Sequence, residues 1–210
     1  MKFTEFKAKF LGLPVIPSRL LSGGQADINQ LERWRRSGRI VKLRRGLYML
    51  GAGERRLEPG RAYLAGQIYQ PSYVSLEYAL SVYGLIPERP ADMTSVSARK
   101  TAVFVNDFGT FSYQSVKPSV FRGFTAVKDE TGFPYFMAEP EKAVADFVYL
   151  NLGKCPSAEK EAGEYLAEAF RFQDLASLRR RRLKEYFALF GMKKMDRIAD
   201  AILGLAGGGA

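Results

Sequence analysis

Five short runs rich in β-branched and aromatic residues follow one another between residues 93 and 138, and helical patterns flank them on both sides. The runs are MTSVSA, TAVFVN, GTFSYQSV, GFTAVK and PYFMA, and Gly, Asn-Asp and Pro separate them. Runs of this length with turn residues between them are typical of strands. Because strands and helices occupy separate stretches of the chain, the pattern predicts an α+β fold with a short antiparallel β meander flanked by helices.

Three helical segments are predicted at the front of the chain. The aromatic residues of FTEFKAKFLG recur at helical spacing, and SRLL follows as a short second helix. The third helix is INQLERWRRS, for which Asp27 is the expected N-cap and Gly38 the expected stop.

A β-hairpin is predicted directly after the third helix. RIVKL and GLYML are two short β-rich runs, joined by a turn through Arg44, Arg45 and Gly46. Helices followed by a β wing are the order of a winged helix-turn-helix, whose second helix enters the major groove of DNA. The Gly-, Pro- and charge-rich stretch that follows makes a domain boundary. We therefore expect a winged helix-turn-helix domain over residues 1–53 and a mixed α/β domain with a helical C-terminus over residues 54–210.

Basic charge is concentrated in the first part of the chain. The net charge is +10, and residues 1–58 hold 13 Lys or Arg against 5 Asp or Glu. Between Arg33 and Gly53 there are seven basic residues and no acidic one. A field concentrated in this way favours an anionic partner, above all double-stranded DNA.

Eight polar or basic side chains are the predicted DNA contacts. Those on the third helix would present hydrogen-bond donors to base edges, Arg to guanine and Asn or Gln to adenine. Those on the hairpin would contact phosphates. They are Asn29, Gln30, Arg33 and Arg36 on the helix, and Arg39, Lys42, Arg44 and Arg45 on the hairpin.

A second basic run, LRRRRLKEYF, lies near the C-terminus. On a helix its leucine and aromatic side chains share the packed face, and its basic side chains point outward. Two interpretations remain open, namely contacts to phosphates, RNA or an acidic partner, and solubilising charge on a terminal helix. The residues concerned are Arg179, Arg180, Arg181 and Lys184.

The chain contains no histidine and a single cysteine, Cys155. Ser-His and Cys-His catalysis, the usual zinc sites and an internal disulfide are therefore not available to it. The single cysteine, the lack of an apolar run of about 18 residues and the polar N-terminus predict a cytoplasmic protein that has no membrane partner. We expect no cofactor, no metal and no catalytic residue.

An enzyme is the alternative from another class, as a magnesium-dependent nuclease or a nucleotide-handling fold. Asp107 lies in a VNDFG turn, where turn chemistry explains the Asn-Asp pair. In PEKAVADFVYL the spacing of Lys142 and Asp146 predicts a helix-surface salt bridge, with a Lys-plus-acid catalytic site as the functional alternative. The acids available for magnesium are Asp107, Glu139, Glu141 and Asp146.

Three motifs taken together resemble one protein family. They are RSGRIVKLRRGLYML, PSYVSLEYALSVYGLIP and AEPEKAVADFVYL, within residues 17–150. In these motifs and their order, the chain resembles the AbiEi antitoxins of type IV toxin–antitoxin systems, which are abortive-infection transcriptional regulators.

The resemblance implies a repressor that binds inverted repeats in its own promoter and so autoregulates its operon. Two copies are then expected on the DNA, one for each half-site. The resemblance also implies that the C-terminal domain counteracts a nucleotidyltransferase toxin of the same operon without forming a stable complex with it. A further interpretation makes the second domain a protein-binding module for the toxin.

Overall fold

The computed structural model of the protein describes residues 2–21, 25–156, 165 and 168–207. These residues form seven α-helices and two β-sheets, so the fold is α+β, as the sequence predicts. Among them, no helix combines the length and the apolar character that crossing a lipid bilayer requires.

Two helices and a three-stranded antiparallel sheet form the first layer. The strand order is β1-β3-β2, and a 3-10 turn over Ser18–Leu20 connects β1 to the segment that precedes the second helix. The elements are α1 (Phe3–Phe10), β1 (Ile16–Pro17), α2 (Gln25–Arg36), β2 (Ile40–Arg44) and β3 (Leu47–Leu50).

The second helix begins earlier than its capping signal indicates. α2 starts at Gln25, so Asp27 is the third residue of the helix and the expectation that it is the N-cap is wrong. An Asp in the first turn complements the helix dipole as well as it caps a helix, and the sequence signal does not separate the two positions. The predicted stop is confirmed, because Gly38 has a φ of +71° and its N–H donates to the Arg35 carbonyl at 3.0 Å.

Both faces of the β2–β3 hairpin contribute buried side chains to a hydrophobic core. Successive side chains of a strand point to opposite faces. Ile40 and Leu50 pack with α1 and α2, whereas Leu47 and Met49 belong to the main hydrophobic core. The core is therefore continuous across the boundary that the sequence places at residue 53.

The second sheet has six strands in the order β6-β7-β5-β4-β9-β8. It contains all five predicted strands and one that the sequence analysis missed, the three-residue β4. The strands are β4 (Ser72–Val74), β5 (Met93–Ser97), β6 (Ala102–Asn106), β7 (Gly109–Ser115), β8 (Phe124–Lys128) and β9 (Pro134–Ala138).

This sheet is mixed, so the predicted antiparallel meander is wrong. β6–β7 and β8–β9 are antiparallel hairpins and β4 pairs with β5 in the antiparallel sense. However, β5 runs parallel to β7, and β4 runs parallel to β9. β4 precedes the other five strands in the chain and inserts between β5 and β9, where it pairs with β9 in the parallel sense. β7 lies between β5 and β6 and not beside β6 alone, so it pairs with β5 in the parallel sense.

Three helices pack against the second sheet, and two more pack behind them. α3 (Arg61–Ile68) is fastened to one face, where the Tyr113 hydroxyl donates to the Ala65 carbonyl at 2.7 Å. α5 (Pro140–Leu150) covers part of the other face and contacts both α4 and α6. The remaining helices are α4 (Leu76–Val82), α6 (Arg180–Ala188) and α7 (Lys193–Gly207).

Candidate nucleic-acid interface

The exposed face of α2 carries the side chains predicted to contact bases. Trp34 is buried against α1. Since helical residues three and four apart share a face, Asn29, Arg33 and Arg36 lie together on the opposite side of the helix, and all three are exposed. Gln30 is half-buried at the flank of this face. The helix thus presents one amide and two guanidinium groups to solvent.

One carboxylate lies among these cations. Glu32 accepts a hydrogen bond from Arg35 Nη2 at 2.7 Å and lies 3.4 Å from Arg36 Nε. These hydrogen bonds hold the pKa of Glu32 at about 2, so the carboxylate stays charged at neutral pH and offsets part of the local positive charge. Among the described residues Arg33 has no ion-pair partner, which leaves its charge available to a ligand.

Three of the four predicted hairpin contacts are exposed, namely Arg39, Lys42 and Arg45. The Arg39 guanidinium carbon lies 4.8 Å from the centre of the Phe3 ring, a cation–π contact that fixes its position. Lys42 is opposite Tyr48 across the β2–β3 ladder. Because α2 packs against β2, the basic side chains of the helix and the hairpin belong to one layer of the protein.

Arg44 holds the tip of the hairpin. Its Nε donates to the carbonyl of Ile68 at the end of α3, and its Nη1 donates to the Arg45 carbonyl at 2.8 Å. On the other side, the Gly46 carbonyl accepts a hydrogen bond from the Ser18 N–H at 2.9 Å. The tip is therefore fastened to the rest of the protein at two points.

The second basic run begins with a residue that is already paired. Arg179 Nη2 donates to Glu139 Oε2, and Arg179 Nε donates to Glu141 Oε1, both at 2.9 Å. The Arg179 backbone N–H reaches the same Glu141 oxygen at 2.9 Å. Arg179 lies on the surface, as expected, because its side chain is 58% exposed, and its ion pairs also join the start of α6 to the start of α5.

The other basic residues of this run lie on the surface of α6. Arg181 pairs with Glu185 at 2.8 Å, and Lys184 pairs with Asp200 on α7 at 2.9 Å. Arg180 is exposed and has no ion pair among the described residues. The run is thus a helix surface whose basic charge is partly neutralised by carboxylates.

A charged pair lies in the core between α5 and β4. Lys142 Nζ contacts Asp146 Oδ1 and donates to the Tyr73 hydroxyl at 3.0 Å. Asp146 Oδ2 accepts hydrogen bonds from the Tyr73 hydroxyl at 2.9 Å and from Ser75 Oγ at 3.0 Å. All four residues are buried, so the expected helix-surface salt bridge is wrong. The pair points inward because α5 is buried on nearly all sides.

Burial opposes the charge of both partners. It lowers the pKa of Lys142 and raises the pKa of Asp146, because removal from water penalises each charged form. The mutual contact and the hydroxyls of Tyr73 and Ser75 act in the opposite direction. The pair is closed to solvent and links α5 to the sheet, which is a packing role.

The four acids considered for magnesium lie in three separate places. Asp107 is exposed in the turn between β6 and β7, Glu139 and Glu141 meet at Arg179, and Asp146 is paired with Lys142. Among the described residues, no three side chains suited to metal binding come together.

The contacts that the sequence analysis missed join residues far apart in the chain. Arg179 and Glu141 are 38 positions apart, and Arg44 and Ile68 are 24 apart. A single sequence carries no signal for such pairs, because any of several carboxylates or carbonyls satisfies the same guanidinium. Covariation between related sequences is the signal that would reveal them.

No protein-family model matches the chain, and no curated protein matches it either.

Proposed function

We propose that the protein is a DNA-binding transcriptional repressor and antitoxin, which autoregulates its operon and counteracts a nucleotidyltransferase toxin. The observation that carries the DNA-binding part is the exposed face of α2. There Asn29, Arg33 and Arg36 point outward, and exposed Lys42 and Arg45 follow on the next hairpin. Arg and Asn are the side chains that read guanine and adenine in the major groove.

In this proposal residues 1–53 are a winged helix-turn-helix. The order of α1, the 3-10 turn, α2 and the β2–β3 hairpin supports this interpretation. α2 is then the recognition helix, and Arg39, Lys42 and Arg45 contact phosphates. Arg44 is reassigned from phosphate contact to positioning, because its guanidinium group is bound to carbonyl oxygens.

The antitoxin part of the proposal is supported by the resemblance to the AbiEi antitoxins. Two of the three motifs that carry the resemblance meet in the core. Tyr73 and Ser75 belong to PSYVSLEYALSVYGLIP, and both donate to Asp146 of AEPEKAVADFVYL. These contacts give the two motifs a shared structural role in the core of this protein.

Fluorescence anisotropy on the duplex upstream of the protein's own gene tests the DNA-binding part. A scrambled duplex is the control, and both are titrated over a salt series. We expect preference for the native duplex and a steep loss of affinity with salt, because phosphate contacts release counterions. Equal and weak binding to both duplexes would show that the basic surface binds any polyanion without sequence preference, and would contradict the proposal.

Arg33→Ala and Arg197→Ala are a matched pair of variants for the same assay. Arg197 is an exposed arginine of α7, without an ion pair among the described residues, so its loss changes the net charge equally. We expect Arg33→Ala to cost about 1–3 kcal/mol on the native duplex and to relax its sequence preference. Arg197→Ala leaves both properties unchanged. Equal effects of the two variants would show that only net charge matters.

Co-expression with the toxin gene of the same operon tests the antitoxin part. We expect the wild type and Arg33→Ala to restore growth equally, while only the wild type represses a promoter reporter. Failure of the wild type to restore growth contradicts the antitoxin proposal. A stable complex that purifies with the toxin would favour the protein-binding module instead. Magnesium-dependent cleavage of DNA, lost in Asp107→Ala or Glu139→Gln, would favour the enzyme.

A further inference from the structure

A cleft of about 470 Å³ opens in the second sheet where β4 and β9 separate. These parallel strands pair at one position only, Val74 with Met137. Continuing that register three residues back sets Pro71 opposite Pro134. Neither residue has an amide hydrogen to extend the ladder, so pairing cannot continue there. Both prolines line the cleft, which is within the range of about 300–1,000 Å³ typical of ligand pockets.

Aromatic rings form one wall of the cleft. The Phe124 ring lies 5.3 Å from that of Phe121 and 5.4 Å from that of Phe136, measured between ring centres. Phe136 is 52% exposed, which is unusual for so large an apolar side chain. Tyr63 and Tyr135 also line the cleft. Connected rings that are open to solvent are a surface on which a flat aromatic ligand can stack.

The polar lining of the cleft is uncharged. Gln67 and Gln70 contribute side-chain amides, and no Lys, Arg, Asp or Glu is among the lining residues. Neither amide forms a side-chain hydrogen bond within the described part of the chain. A glutamine amide both donates and accepts hydrogen bonds, so these groups match a ligand edge that carries both kinds of partner and no net charge.

A glycine in the helix beside the cleft has no explanation in packing. Gly66 lies inside α3, where glycine is less favourable than alanine. A Cβ atom at this position would meet no atom within 4 Å, so no neighbour requires the glycine. Glycine is also the residue that lets a backbone approach a ligand closely. Gly66 lines the cleft, so its missing side chain leaves room for an occupant.

We propose that this cleft binds a planar, uncharged heterocycle of the nucleobase type. The ring stacks on the phenylalanine wall and lies against the Gly66 backbone, while its edge exchanges hydrogen bonds with Gln67 and Gln70. The base comes either from a free nucleoside or from an unpaired position of a single strand. Arg122, exposed and next in the chain to Phe121, would contact the phosphate of a strand. The proposal does not rest on duplex binding by α2.

Calorimetric titration of the full-length protein with the four ribonucleosides and with a short single-stranded DNA tests this proposal. The blocking variant is Gly66→Trp, and the matched control is Gly204→Trp. Gly204 also lies in a helix, α7, with open space around a Cβ. We expect the wild type and Gly204→Trp to bind alike and Gly66→Trp to bind about tenfold more weakly or not at all. Thermal unfolding checks that each variant is folded.

Two further variants complete the test. Phe136→Ala removes one stacking ring at a half-exposed position and gives a second test should Gly66→Trp fail to fold. Arg122→Ala distinguishes the two sources of the base. It should weaken binding of the single strand, whose phosphate it contacts, and leave binding of a nucleoside unaffected. Binding of either ligand that is lost in Gly66→Trp or Phe136→Ala supports the proposal. Binding that both variants leave unchanged, or no binding of any of these ligands, overturns it, whatever the result with duplex DNA.

Discussion

Lys142 and Asp146 are the two residues whose replacement has the most direct consequence for stability. Each is fully buried, and each depends on the other and on Tyr73 for its hydrogen bonds. Removing one partner of a buried ion pair leaves an uncompensated charge, which costs more than the pair itself contributes. The two residues therefore have to be considered as one unit.

We expect Lys142→Met to lower the free energy of unfolding by about 3–5 kcal/mol, because it leaves Asp146 buried without its cation. The double variant Lys142→Met/Asp146→Leu should cost less than the single one, since no unpaired charge remains. Urea denaturation followed by circular dichroism measures both. Arg181→Ala, which breaks an exposed pair, is the control and should cost about 0–1 kcal/mol. A Lys142→Met protein as stable as this control would contradict the assignment.

At the scale of elements, the β2–β3 hairpin combines two adjacent arginines in different surroundings. Arg44 fastens the tip to α3, whereas Arg45 is exposed and free of ion pairs among the described residues. If Arg45 contacts a phosphate as proposed, then holding the tip and binding DNA fall to adjacent residues, and single substitutions separate the two effects.

Arg44→Ala should lower the free energy of unfolding by about 1–3 kcal/mol, because the Ile68 carbonyl loses a charged donor in a partly buried place. Arg45→Ala should leave stability within about 0.5 kcal/mol and lower the salt slope of duplex binding by about one. Chemical denaturation and the anisotropy assay measure the two effects. The reverse pattern, with the binding loss at Arg44 alone, would restore Arg44 as a phosphate contact.

The junction between α5 and α6 depends on a carboxylate. Burial alone would raise the pKa of Glu141, but the hydrogen bonds from Arg179 outweigh this effect and lower it. A lowered folded-state pKa means that ionised Glu141 stabilises the fold at neutral pH. This contribution is lost as the pH falls from the ordinary pKa of a glutamate through the lower value in the folded protein.

We therefore expect Glu141→Gln to be less stable than the wild type at neutral pH, and the difference to shrink below about pH 4. Denaturation midpoints measured from pH 7 down to acid give the comparison. Glu185→Gln removes a carboxylate from an exposed pair within α6 and serves as the control. A stability gap that stays constant with pH would show that Glu141 acts by shape and not by charge.

Local signals in the sequence were sufficient for most elements but not for their arrangement. The β-branched runs locate five of the six strands of the second sheet, because alternation and turn residues are properties of each run alone. β4 has three residues and no alternation, so neither the strand nor its parallel pairing with β9 was predictable. The parallel pairing of β5 with β7 depends on the order of strands in the sheet, which no local signal gives. The burial of Lys142 escaped prediction for a related reason. Spacing shows which residues share a helix face, but not that α5 has hardly any exposed face.

At the scale of the whole molecule, exposed basic side chains are concentrated in the first part of the chain. The 13 basic residues within residues 1–58 include the exposed set on α2 and the hairpin. The later basic run is partly neutralised by carboxylates. If the operator is an inverted repeat, each copy of the protein presents one α2 to one half-site, and the spacing of half-sites has to match the turn of the duplex.

Duplexes with altered spacing test this geometry. Inserting about 5 base pairs between the half-sites turns them to opposite sides of the helix, and inserting about 10 returns them to the same side. We expect the shorter insertion to abolish joint binding of two copies and the longer one to restore it in part, as seen by mobility shift. Equal joint binding to all three duplexes would mean that the copies bind independently.

The β2–β3 hairpin, which contributes side chains to both hydrophobic cores, also determines how the protein can be divided into fragments. A fragment that ends at residue 53 would expose Leu47 and Met49, which belong to the core shared with the rest of the chain. Such a fragment is expected to aggregate, so its failure to bind the operator duplex would say nothing about the role of α2. For the same reason, limited proteolysis should not release the first 53 residues as a soluble piece. Genetic separation of repression from antitoxicity is therefore better sought with point substitutions on α2 than with truncations.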